Sequence, residues 1–352
     1  MRAMVLKEFR QLRRDRRTLA LMIMVPLLLL IVFGYVARFD IKQIPTAVVG
    51  AQAEMVAGLL PEPFDVRIVD SAGDRATGED LLRRSRAIIA VVAEPPLTIL
   101  VDGTELFAAQ SARAANLVGG ASGALPIPFE LEVLFNPELS TAVVMVPSLI
   151  GMVLTAIGTV ITSLGVVRER QEGTLEQLAV MPLRPRDVII GKIAPYFLVG
   201  VLDMAVITAA GLLLFDVPFR GSWLVFAAAA FAFLLAVLGV GVLISTLSHT
   251  QGEAIQLAIM TMLPQIMLSG MIFPLTAMPW GVRWISYLLP LTYFVQIVRG
   301  VFLKATPFDA LGVPFLALIL LAVVVLGLAV LRFRRDLAPA GRRRATPAEA
   351  AS

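Results

Sequence analysis

Side chains able to do covalent or metal chemistry are scarce in this sequence. It has no cysteine and a single histidine, His249, which excludes disulfides, thiol nucleophiles, thiolate metal sites and any multi-histidine metal centre. No G-x-x-x-x-G-K-[ST] run is present, so the chain cannot hydrolyse ATP through a phosphate-cradling loop of that kind. Asp70, Asp74, Glu79 and Asp80 can be paired on paper, but a solvated surface accounts for them. No catalytic residue, metal ligand or cofactor is therefore assigned to the chain. The acid in the most costly place is Asp203, set among apolar residues. A carboxylate near mid-bilayer costs roughly 2.5 to 3.5 kcal/mol on insertion scales, and both a proton site and a structural, protonated acid are open readings. No His, Glu, Lys or Arg at comparable depth in another apolar stretch offers itself as a relay partner. Two polar stripes complete the inventory. Ser148, Thr155 and Thr162 recur every seven residues with Thr159 between them, and Thr261, Gln265 and Ser269 recur every four. Each set lies on one helix face, where hydroxyls and amides either bond across a helix interface or face a cavity.

The elements that must hold these residues follow from composition. The 352 residues are 58% apolar and only 16% charged, with a mean hydropathy of +0.85, which does not suit a soluble protein. Six stretches are long enough to cross a bilayer: Thr18 to Ala37, Ala142 to Val167, Val188 to Phe215, Ser222 to Leu247, Ala254 to Leu275 and Ala310 to Leu331. Lys192 and Asp203 are their only ionisable side chains. The expected fold is an α-helical polytopic membrane protein with six transmembrane helices. The first stretch follows a basic segment and lacks a small-x-small cleavage site, so it reads as a retained helix rather than a signal peptide. The net charge of +4 does not point to nucleic acid, because the basic residues cluster beside apolar spans at the chain ends. Lys and Arg are roughly threefold denser in segments 1–17, 168–187, 248–253 and 332–352 than in 38–141, 216–221 and 276–309. Both termini are thus expected in the cytoplasm, with a basic cytoplasmic tail over 332–352.

Residues 38–141, inserted between the first and second spans, then lie outside. β-branched runs at Thr46 to Val49, Val66 to Val69, Ala87 to Val92 and Leu97 to Val101 predict strands, and Glu79 to Arg86 and Glu105 to Leu117 predict helices. A small α/β extracytoplasmic domain is the expectation. In segment 1–17, Val5, Leu6, Phe9 and Leu12 share helical spacing amid arginines, which predicts an amphipathic helix lying in the inner interface. Segment 276–309 carries Trp280, Trp284, Tyr287 and Tyr293, broken by Pro279 and Pro290. Aromatic rings with a polar edge settle at head-group depth, so short helices dipping into the outer leaflet are expected there.

Segment 168–187 reads RERQEGTLEQLAVMPLRPRD. Its charges can pair at i, i+3 and i, i+4 on a short helix. With the following VIIGKIAPY, it resembles the cytoplasmic signature of permease subunits of ABC transporters of the type-two export class. The resemblance extends over nearly the whole chain, including the basic entry helix, the external domain, NPE at Asn136 to Glu138, and LSGMIFPLTAMPWGVRWISYLLPLTYFVQIVRGVFLK from Leu268 to Lys304. One departure is VPSLIG at Val146 to Gly151, where the family pattern has a proline-glycine pair. The resemblance implies a permease working as a homodimer or heterodimer in a bacterial cytoplasmic membrane. It also implies a separate ABC ATPase subunit, which binds ATP and Mg. Arg168, Glu169, Glu172, Gly173, Thr174, Leu175 and Glu176 would form the ATPase-coupling contact in the loop between the second and third spans. The second and fifth spans would line the route, which assigns Ser148, Thr155, Thr159, Thr162, Thr261, Gln265 and Ser269 to the substrate path. The same walls carry Met152, Met260, Met262, Met267 and Met271, adaptable side chains that favour a hydrophobic or amphipathic cargo. Readings from other classes are a membrane-anchored receptor or assembly factor whose external domain binds a ligand, and a proton-driven carrier.

Overall fold

The computed structural model of the protein describes residues 44–60, 64–106, 108–110, 129–172 and 185–336. The predicted entry helix, the first span Thr18 to Ala37, and Gly173, Thr174, Leu175 and Glu176 lie outside the described residues. So does the tail beyond Asp336.

The N-terminal described part is a five-stranded sheet of β1 (Ile44–Val49), β2 (Phe64–Asp70), β3 (Ile89–Val92), β4 (Leu97–Asp102) and β5 (Phe129–Leu134). Its order is β2-β1-β3-β4-β5, parallel except for the antiparallel β3/β4 pair. The four β-branched runs supply β1 to β4. Central β1 is buried along its whole length, as a strand covered on both faces must be. On one face Ile44 and Val48 pack with Ala53 and Val56 of a short helix, α1 (Ala53–Ala57). On the other, Ala47 and Val49 pack with Leu81 and Leu82 of α2 (Arg75–Arg83).

Two details depart from expectation. Helix α2 begins four residues before the predicted Glu79, because Asp74 and Thr77 form a reciprocal capping box: Thr77 N donates to Asp74 Oδ1 at 2.9 Å, and Asp74 N donates to Thr77 Oγ1 at 3.3 Å. It stops at Arg83, before Ser85 takes a φ of 55°. Strand β5 was not anticipated. It is an edge strand whose Glu132 accepts from Arg75 Nη2 on α2 through Oε1 at 2.9 Å and Oε2 at 2.7 Å.

Asn136, the first residue of the NPE motif, joins the sheet to the helices. Its Nδ2 donates to Gly103 O and to Ser140 O, both at 3.1 Å, and its Oδ1 accepts from Ser140 N at 3.0 Å. The chain then enters α3 (Thr141–Gln171), followed by α4 (Pro185–Leu214), α5 (Trp223–Leu247), α6 (Gln251–Leu268), α7 (Trp280–Ser286), α8 (Pro290–Arg299), a π-turn (Gly300–Lys304) and α9 (Phe308–Asp336). α3, α5 and most of α4 and α9 are long and apolar enough to cross a membrane, and α7 with α8 and the π-turn forms a fifth candidate bent by 80°.

Four or five candidate spans are therefore seen among the described residues. The apolar run Ala254 to Leu275, predicted as one span, is not one continuous helix. α6 ends at Leu268, Gly270 turns the chain at a φ of +84°, and a 3-10 turn follows at Leu275–Ala277. Only glycine adopts that φ at no steric cost. The 18 residues of α6 rise about 27 Å, slightly less than the ~30 Å hydrocarbon core, and Glu253, Gln256 and Gln265 lower its hydropathy.

α5 is the central helix. It packs along α3 and α9, with α4 and α8 also against it. Phe233 of α5 stacks on Phe294 of α8 at 4.2 Å between ring centroids. The α3/α5 crossing depends on Gly241, where an added Cβ would stand 2.8 Å from Thr162 Cβ and 3.0 Å from Thr159 O. Close approach at small residues is how membrane helices gain packing when lipid is as apolar as they are. The outward faces of α4 and α9 leave Leu198, Leu202, Leu213, Val313, Leu316 and Leu320 exposed, a surface suited to lipid.

Candidate coupling face and transport interior

α3 has 31 residues and rises about 46 Å, so it outruns the hydrocarbon core and carries its charged last turn clear of it. Arg168 Nε donates to Glu172 Oε1 at 2.8 Å, with both side chains more than half exposed. A pair this exposed contributes about 0 to 1 kcal/mol, so the two groups remain open to another surface. Arg170 is engaged differently. Its Nη1 donates to Ser245 O at 3.2 Å and Ser248 O at 2.8 Å. These are carbonyls at the C-terminal end of α5, which lack intrahelical partners and carry the negative end of the helix dipole. Gln251 Nε2, at the start of α6, donates to Gln171 Oε1 at 3.0 Å. Three helix ends are thereby tied beside Arg168, Glu169 and Glu172. The remaining residues assigned to coupling, Gly173 to Glu176, are outside the described residues.

Ser148, Thr155, Thr159, Thr162, Gln265 and Ser269 are buried, whereas Thr261 is exposed. Thr155 Oγ1 donates to Gly151 O at 2.8 Å and Ser269 Oγ to Ile266 O at 3.3 Å, both bonds within one turn. Ser148 Oγ accepts from Arg299 Nε at 3.1 Å and so links α3 to α8. Thr159 and Thr162 sit at the Gly241 crossing, and their hydroxyls, like Gln265 Oε1, have no hydrogen-bond partner among the described residues. Within a single chain, the α3 stripe is thus interior, and the α6 stripe is split between an open Thr261 and buried Gln265 and Ser269.

Sequence reasoning missed a second charged site, where the sheet meets the helices. Lys304 and Asp102, 5% and 1% exposed, form an ion pair. Lys304 Nζ also donates to Ser85 Oγ at 2.9 Å, and Asp102 Oδ1 accepts from Thr104 N and Oγ1 at 3.0 and 2.6 Å. Arg84 pairs with Asp309 at the start of α9, and Thr306 Oγ1 donates to Arg83 O at 2.8 Å. Arg299 Nη1 and Nη2 reach Gly270 O and Met271 O at 3.2 and 2.8 Å. A cavity of about 400 Å³ lies at this junction, lined in part by Asp102, Glu105, Arg299 and Lys304. Burial pushes the Glu105 carboxyl above its ordinary value, with Arg299 pulling the other way. The signal in the sequence was slight: Arg299 and Lys304 close an aromatic segment, and Asp102 ends an apolar strand.

Residues 16–331 match the family model described as ABC-2 family transporter protein. The chain is 29% identical over 367 residues to the probable multidrug ABC transporter permease YbhS of Escherichia coli, covering 96% of this chain and 97% of that one. It is 28% identical to the probable multidrug ABC transporter permease YbhR of the same organism, covering 94% and 97%. A shorter similarity, 24% identical over 56% of this chain and 27% of the relative, reaches the ABC transporter G family member 20 of Dictyostelium discoideum. No solved structure matches the chain at a significant level. The near-complete family match and the two relatives covered over nearly their whole length agree with the long apolar helices, and the chain belongs to the ABC-2 family, as the membrane-spanning permease of an ABC transporter whose ATP hydrolysis is carried by a separate subunit.

Proposed function

We propose that this permease is one half of a dimeric exporter in a bacterial cytoplasmic membrane, with six spans, both termini inside and the sheet domain on the outer side. The threefold bias of Lys and Arg toward the proposed inner segments supports the orientation. The partner ATPase binds ATP and Mg and docks on residues 168–187, where Arg168, Glu169, Glu172, Gly173, Thr174, Leu175 and Glu176 form the contact. The observation that carries this reading is the Arg170 clamp. A force on the loop after α3 is passed at once to the end of α5 through Ser245 and Ser248, and to α6 through Gln251. The route follows the α3 and α6 faces bearing the seven polar residues, with Thr261 the most open of them. The bent α7/α8 pair, whose Trp280 and Trp284 are exposed, dips into the outer leaflet and caps it. A hydrophobic or amphipathic cargo accords with the aliphatic, methionine-bearing walls and with the multidrug names of the two relatives.

The test is charge reversal. Glu172→Lys or Glu176→Lys sets like charges against a groove that accepts carboxylates, and should cut co-purification of the ATPase subunit at least tenfold while the permease still inserts. Unchanged co-purification with intact transport would reject the docking assignment.

A further inference from the structure

Asp203 lines a cavity of about 320 Å³ between α3, α4 and α5. It stands halfway along the apolar stretch Ile193–Leu214 of α4, at bilayer depth by the length of that helix. Its other walls are mostly apolar, with Ile161 from α3, Val199 from α4 and Leu234 from α5, and no Lys, Arg or His contributes to the lining. Among the described residues, no hydrogen bond or ion pair is made by Asp203. Across the cavity Thr162, 1% exposed, turns Cβ and Cγ2 toward Gly241 and leaves its Oγ1 without a partner. Tyr196 adds an aromatic surface, which attracts cations over its face. Val199 and Ile161, each more than two-fifths exposed, flank the opening.

A carboxylate in such a place is costly unless a positive charge comes to it. We propose that this cavity binds lipophilic cations, with the apolar body of the ligand against Ile161, Val199 and Leu234 and its positive charge held by Asp203. Size agrees, since cavities of roughly 300 to 1,000 Å³ hold drug-sized ligands. Entry is from the bilayer, where a lipophilic cation already partitions. The inference names a cargo class for the transport reading and rests on it for that role, but binding needs no ATPase and can be measured alone.

The experiment uses the full chain in lipid nanodiscs, with empty nanodiscs subtracted, and compares tetraphenylphosphonium with tetraphenylborate, two probes of similar shape and opposite charge. In separate titrations the wild type should bind the cation and show no binding of the anion. D203N should lose about ten- to a hundredfold in affinity for the cation, the range for a charge-assisted contact, and D203E should retain most of it. V199W, on the exposed rim, should block binding by filling the cavity. Equal cation affinity in wild type and D203N, or equal affinity of the wild type for tetraphenylborate titrated alone, would overturn the proposal. If D203N is not recovered folded, the cation-anion comparison in the wild type and the V199W result decide it. Weak ATPase co-purification with cation binding intact would count against the coupling reading alone.

Discussion

Lys304 and Asp102 show how much one buried charge depends on its partner. Each is almost fully enclosed, and each alone would be an uncompensated ion in a poorly solvated place. Lys304→Met should therefore cost about 3 to 5 kcal/mol, read as a lowered midpoint of thermal unfolding of the purified permease. Adding Asp102→Asn should restore more than half of the loss, because two neutral groups replace a stranded charge. A double variant no more stable than Lys304→Met would contradict this. Glu105 gives a pH prediction at the same junction. Its carboxyl is raised by burial, so between the ordinary value of about 4.3 and the raised one the folded chain holds more protons than the unfolded chain. Stability from this group is then full at low pH and falls as pH rises through that window. Glu105→Gln removes the dependence and should raise the unfolding midpoint at pH 8 but not at pH 4. An equal shift at both would show that titration is not the cause.

At the scale of elements, the ends of helices carry the design. α3 is long enough to leave the hydrocarbon, and its last turn is fastened to α5 and α6 by contacts to main-chain carbonyls and an amide, just beyond the apolar cluster of Val167, Ile244 and Ala254. The polar part of this arrangement was only partly legible. The arginines and glutamates of 168–172 were plain in the sequence as a charged helical turn, yet nothing in their spacing identified Arg170 as the one that reaches across to α5. The polar stripes were equally visible, and their two chemical uses were not separable by period. In the fold Ser148 meets Arg299, and Thr159 and Thr162 meet Gly241, all contacts between residues far apart in the chain. Thr261 alone among the seven is exposed. In a working complex with no other cysteine, Thr261→Cys should react with a small membrane-impermeant thiol reagent, and more so in one nucleotide state. Leu320→Cys, on the lipid face of α9, should stay at least tenfold slower, because the thiolate does not form in hydrocarbon. Equal rates at the two positions would remove Thr261 from the route.

For the whole molecule, composition was the strongest signal. Apolar runs marked the long helices, and β-branched runs marked β1 to β4, because burial on both faces demands such residues. Where single residues govern, patterns fell short. Gly270 ends α6 seven residues before the apolar run stops, and Asp74 starts α2 before its apolar residues begin. The charged lock between sheet and helices was hidden because Asp102 and Lys304 are 202 residues apart. That lock and the Arg84 to Asp309 pair fasten the sheet to α9 and the π-turn, while the opposite end of the helices presents Arg168 and Glu172. The central claim is that this chain moves cargo only on energy supplied by a separate ATPase. The most direct measurement is transport of a fluorescent amphipathic dye into sealed inverted proteoliposomes containing the permease, with or without its ATPase subunit. The account predicts uptake that needs both proteins and ATP, with loss in Glu172→Lys and none of it restored by a proton gradient. Uptake by the permease alone, driven by a proton gradient without ATP, would contradict it.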